Sequence, residues 1–137
     1  MCSRAQVPLS WKSKFQKTVA TSTCEAELMA LAATVQEAIW LKRLLLELDT
    51  TKKGQPMQIH EDNQGAIALI RDHKFSTRTK HMDIKYFFVR EHFHGGEFDL
   101  NYCETKNMLA GIFSKPTARL IFCFIRQLLG VVEIINN

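Results

Sequence analysis

From Ser22 onward no proline or glycine interrupts the chain until Gly54, and across that span Leu28, Leu31, Ala32, Val35, Ile39 and Leu46 recur at helical spacing. The pattern predicts one long amphipathic helix over residues 23–48. An apolar stripe of that length has to be covered, so the remaining residues must supply a sheet or further helices to lie against it. Ser22 followed three residues later by Glu25 fits a capping box, in which each side chain satisfies an orphan backbone N–H at the helix start.

The segments that follow alternate between strand and helix signals. "MQIHE" (57–61) alternates apolar and polar like a strand, and "NQGAIALI" (63–70) then turns helical, which leaves Asp62 at the strand's carboxyl end. "HMDIKYFFVREHF" carries Ile84, Phe87, Phe88 and Glu91 at helical spacing, with Gly95 and Gly96 as a stop. In "EFDLNYC" Phe98, Leu100 and Tyr102 face one way, as in a strand with one face on a core. "NMLAGIFS" reads as a short helix, and Pro116 opens a last one ending near Gly130. Upstream, "PLSW" and "TVATS" have strand character and suggest a hairpin or edge strand. The fold class is therefore α/β. With no repeat, low-complexity tract or linker, the 137 residues form a single domain.

Composition narrows the function classes. An apolar share of 46% is enough for a packed core, and a net charge of +4 favours a polyanionic partner over an acidic one. The four cysteines (Cys2, Cys24, Cys103, Cys123) contain no CxxC pair and read as free thiols in a reducing compartment, which argues against structural zinc. The greasiest run, "LIFCFI", is bracketed by Arg119 and Arg126 and falls short of a bilayer span. The expectation is a soluble intracellular chain, cytoplasmic or nuclear, with no membrane partner. "LIFCFIRQLLGVV" is the apolar face of a last helix or a contact with another segment. Trp11, Trp40 and the phenylalanines read mainly as core or core-edge packing. His92 and His94, at i and i+2 on a helix, point apart and do not suggest a metal pair.

The blocks "SWKSKFQKTVATSTCEAELMAL", "EDNQGAIAL", "TRTKHMDIKYFFVRE" and "MLAGIFSKP" stand in the order and approximate spacing of the ribonuclease H domain of copia-type LTR retrotransposon Pol polyproteins, and the chain resembles that family from about Pro8 to Gly130. The resemblance implies an RNase H-like fold, a mixed sheet flanked by helices. It also implies hydrolysis of RNA in RNA/DNA hybrids by two Mg2+ (or Mn2+) ions held by carboxylates. Glu27 and Asp62 match family acids and are the expected catalytic and metal-ligating residues; Glu25 is the rival on the helix, already occupied by its capping role. Asn63 and Gln64 match a position that contacts the RNA strand, with Gly65 allowing close backbone approach. Lys12 and Lys14 with Lys17, and Arg78 and Lys80 with Lys74 and His81, would line a duplex backbone and give affinity without sequence choice. Upstream Pol segments, the reverse transcriptase among them, are the implied protein partners. Without the resemblance, the plainer readings are a helix N-cap for Asp62 and a dipole-complementing acid for Glu27.

Two family acids are missing. The first belongs on an opening strand, but the seven residues before Pro8 include no Asp or Glu; the last falls where this chain has Gly111. Two Mg2+ bring four positive charges that Glu27 and Asp62 alone do not neutralise. The expectation is a chain truncated at its N-terminus in which Glu27 and Asp62 are insufficient to bind Mg2+ or Mn2+ stably, so that it holds no metal pair and does not cleave hybrid by itself. A non-catalytic nucleic-acid-binding module and an inert element remnant are the alternatives. The absent first strands would also leave the sheet's neighbouring backbone groups unpaired, at roughly 1 to 3 kcal/mol for each buried one.

Overall fold

A computed structural model describes residues 22–72, 83–113 and 116–131, together with the single positions Ser10 and Ala20. The chain divides into two compact units, Thr18–Glu104 and a second comprising Met1–Lys17 with Thr105–Asn137.

In the first unit, α1 (Thr23–Glu47) is followed by β1 (Met57–Glu61), α2 (Gln64–Arg71), α3 (Asp83–His94) and β2 (Phe98–Tyr102). Helix α1 starts where Ser22 Oγ accepts the Glu25 N–H at 3.1 Å. It ends one residue short of the expected limit, with Asp49 in the left-handed region at φ 54° and Thr50 donating back to the Leu45 carbonyl. Leu28, Leu31, Ala32 and Val35 are buried as their spacing predicts, and Ile39 packs at the core edge.

Strands β1 and β2 pair in parallel, Met57 opposite Phe98 through Glu61 opposite Tyr102, with α2 and α3 forming the crossover that parallel pairing demands. They make a two-stranded sheet among the described residues. The mixed α/β class holds at this level; the expected hairpin of "PLSW" and "TVATS" lies outside the described residues. Ile59, Phe98 and Leu100 turn to the helices and complete the core, while Gln58 and Asn101 join side chains across the other face. Lys42 Nζ donates to the Glu97 carbonyl at 3.0 Å, and Arg71 Nη2 donates to the Leu100 carbonyl at 2.6 Å.

Helix α3 forms where helical spacing predicted one, and its burial shows which face meets the core. Its core face is Tyr86 and Val89, with Phe88 and Phe93 at the edge, whereas Ile84 is 87% exposed and Phe87 also faces out. Trp40 is likewise 58% exposed rather than packed. Both faces satisfy helical spacing, and contact with α1 and α2 selects between them.

The second unit contains 3-10 turns at Thr105–Asn107 and Leu109–Phe113, where a short helix was expected, and α4 (Arg119–Leu128). The last helix begins at Arg119 rather than Pro116, and Ala118 caps it without a side-chain hydrogen bond. Ile125 is buried, but Leu120 is 85% exposed and Phe124 and Leu128 face outward with it. Among the described residues no helix is long and apolar enough to cross a membrane.

Candidate metal centre

The site begins with the alternation of β1. Ile59 and Glu61 share one face, and because Ile59 packs on the helices, Glu61 is carried inward with it and is 6% exposed. Asp62 follows immediately after the strand ends. Asn63 then starts α2: its Oδ1 accepts the Ala66 N–H at 3.0 Å. Asn63 therefore takes the capping role that sequence alone could assign to Asp62, and the Asp62 carboxylate has no such task. Glu27 lies two residues beyond Glu25, deeper in α1 than the capping positions at its start.

These elements bring Glu27, Glu61 and Asp62 together, with one carboxylate oxygen from each lying within 4.8 Å of the others. Two of the three were expected from sequence; Glu61 was not. Its signal was present in "MQIHE", since a residue two after Ile59 must share its face, but an acid on an apolar face is not normally read as a ligand. Glu25 is not in the cluster.

The electrostatics follow from burial. Desolvation pushes the Glu61 carboxyl above its ordinary range, and the Glu27 and Asp62 charges push it further, against the lowering effect of the Asn63 N–H donated to Oε1 at 3.0 Å. Burial also raises the Cys24 thiol, with smaller contributions from Glu61 and Glu27. Gly65 fits tightly here: a Cβ would stand 3.1 Å from Asn63 Oδ1 and 3.9 Å from Cys24 Sγ, so a side chain would press on the cap. Gln64 is exposed on the first turn of α2.

Three converging oxygen donors with no nitrogen or sulfur ligand suit a hard divalent cation such as Mg2+ or Mn2+. Among the described residues, the three carboxylates are the acids gathered at this point, a donor set that fits a single such ion. His92 and His94 take separate partners, Glu97 Oε1 at 3.0 Å and Arg90 Nε at 3.4 Å. A Cβ at Gly111 would meet nothing within 4 Å, so no steric demand explains glycine there. Cys24, Cys103 and Cys123 are free thiols. Lys12, Lys14, Lys17, Lys74, Arg78, Lys80 and His81 lie outside the described residues.

Comparison with known proteins decides the kinship. The chain is 37% identical over 123 residues, 90% of its length, to the retrovirus-related Pol polyprotein from transposon TNT 1-94 of Nicotiana tabacum. It is 35% identical over 127 residues, 93% of its length, to those from transposons RE2 and RE1 of Arabidopsis thaliana. The chain is a homologue of copia-type retrotransposon Pol polyproteins. It spans 9% of the length of each of these relatives, and so corresponds to one segment of a much longer polyprotein. No family model matches the chain, and no solved structure matches it.

Proposed function

We propose that this Pol homologue is an RNase H-like segment whose three-carboxylate centre takes a single Mg2+ or Mn2+ and engages RNA/DNA hybrid without efficient cleavage by the chain alone. The observation that carries the reading is the convergence of Glu27, Glu61 and Asp62 from a helix and a strand end. The end of a strand beside a helix start is also the usual place for a ligand in an open α/β sheet.

Charge sets the stoichiometry. Three carboxylates carry at most three negative charges, which overbalance one divalent ion but leave a pair at about 4 Å under-neutralised. When bound, the ion would supply Lewis-acid polarisation at a phosphoryl oxygen. Clamping both the attacking and the leaving oxygen requires a second ion. Of the chain's own groups, Glu61 would contribute the buried donor and Asp62 the more accessible one. Asn63 has its amide oxygen committed to the helix cap, so only its amide N–H groups remain to meet a nucleic-acid strand.

The test combines two measurements on the full chain. Mn2+ titration followed by electron paramagnetic resonance should give one bound ion, lost in Asp62→Asn. A labelled RNA/DNA hybrid should bind with strong salt dependence and remain uncut with Mg2+. Two bound ions, or a hybrid cut that Asp62→Asn abolishes, would overturn the single-ion reading. No bound ion and no hybrid binding would favour an inert remnant.

A further inference from the structure

Strand β2 ends beside the acid cluster. Its alternation puts Phe98, Leu100 and Tyr102 on the face that meets the helices, and the parallel register sets Tyr102 opposite Glu61. Partners in register point to the same side of a sheet. The Tyr102 and Glu61 side chains therefore leave adjacent strands, about 4.8 Å apart, on the face where Glu61 meets Glu27 and Asp62. Phe98 and Leu100 are buried, but Tyr102 is 50% exposed, and among the described residues its hydroxyl has no hydrogen-bond partner.

One exposed aromatic ring needs no explanation by itself. What sets Tyr102 apart, besides its place, is that its backbone is fixed on both sides. Two residues before it, Arg71 Nη2 donates to the Leu100 carbonyl at 2.6 Å; directly after it, the Cys103 N–H donates to the Glu61 carbonyl at 2.9 Å. A strand end bonded on both flanks holds the ring at the lip of the acid cluster, and a tyrosine there offers an apolar body and a polar tip.

We propose that Tyr102 reads the ribose of the strand whose phosphate meets the ion, its hydroxyl sharing a hydrogen bond with a 2′-hydroxyl; the inference rests on the hybrid-binding reading above. In a duplex the bases are paired and stacked on one another, so a side chain beside an ion on phosphate meets sugar before base. An A-form duplex displays its 2′-hydroxyls along a wide, shallow minor groove, and this group distinguishes RNA from DNA at a given position. It both donates and accepts, as the phenol does. An ion on phosphate makes no such distinction, because phosphate is common to both nucleic acids. Tyr102 is thus a specificity-determining residue: the acids hold the ion and its phosphate, and the tyrosine selects the sugar.

Tyr102→Phe keeps the ring and removes the hydroxyl. Fluorescence anisotropy of the full chain in Mn2+ compares an RNA/DNA hybrid with a DNA duplex of the same sequence. The parent should prefer the hybrid, and Tyr102→Phe should lose about two- to tenfold in hybrid affinity, the worth of one neutral hydrogen bond, with its affinity for DNA duplex unchanged. Tyr102→Ala, which removes the ring as well, should weaken both. A hybrid carrying 2′-fluoro in place of 2′-hydroxyl keeps the A-form and should bind the parent and Tyr102→Phe alike. Mn2+ binding by electron paramagnetic resonance and the melting midpoint of Tyr102→Phe should match the parent's, which a structural role for the hydroxyl would not allow. Equal losses on hybrid and DNA duplex, a hybrid preference untouched in Tyr102→Phe, or a loss that persists on the 2′-fluoro duplex overturns this inference and leaves the single-ion reading standing. A parent that binds neither Mn2+ nor hybrid overturns both.

Discussion

Replacing Glu61 with glutamine should move stability and ion affinity in opposite directions. The carboxylate is 6% exposed, and its oxygen lies within 4.8 Å of those of Glu27 and Asp62. At that separation and an effective dielectric near 20, each like-charge pair repels by about 3.5 kcal/mol gross. Burial disfavours the charged carboxylate first and the Glu27 and Asp62 charges add to this, so without a metal ion the Glu61 carboxyl is held less stably than a neutral isostere would be. The glutamine side chain would keep the shape and can still accept the Asn63 N–H. In EDTA, Glu61→Gln should therefore raise the melting midpoint by a few degrees. With a divalent ion the balance reverses. A carboxylate attracts such an ion by about 8 kcal/mol gross at about 4 Å, and replacement water and proton release reduce this to about 1.5 to 3 kcal/mol, or a ten- to hundredfold loss in Mn2+ affinity. Differential scanning calorimetry in EDTA and in Mn2+, paired with a Mn2+ titration, measures both arms. A variant that melts lower in EDTA and binds Mn2+ as well as the parent would refute the reasoning, because Glu61 would then be a structural carboxyl and not an ion ligand.

Further expectations follow from the same geometry. Because the folded pKa of Glu61 lies above its unfolded value, the folded state binds more protons, and metal-free stability should fall as pH rises from the ordinary carboxylate range through the raised pKa. Urea melts at stepped pH should show that slope in the parent chain and a shallower one in Glu61→Gln. Asp62→Asn should remove measurable Mn2+ binding while Glu25→Gln leaves it unchanged, since only Asp62 belongs to the cluster; equal losses would contradict the site. Asn63→Ala removes the α2 cap and should cost about 1 kcal/mol in urea unfolding. Leu28→Ala, fully buried at the centre of the core, should cost about 2 to 5 kcal/mol, enough to leave a marginal chain largely unfolded by circular dichroism.

Local rules carried the sequence a long way. Uninterrupted helical spacing and the Ser22 cap located α1 almost to the residue, and two-residue alternation located β1 and β2, because both signals depend on neighbours in the chain and on backbone hydrogen bonding. The order of the family blocks pointed to Glu27 and Asp62, and tertiary packing brought these two acids to one place. What a periodic pattern cannot specify is which of two permissible faces meets a partner. Helix α3 could have buried Ile84 and Phe87; contact with α1 and α2 buried Tyr86 and Val89 instead. The same limit hid Glu61. Its phase relative to Ile59 was fixed by the strand, but only helices lying against that face made the carboxylate a buried neighbour of two other acids. Sequence determined the elements and their internal geometry through short-range bonding, whereas the number of charges gathered at the site was decided by long-range burial, in which water is excluded from one side of each element.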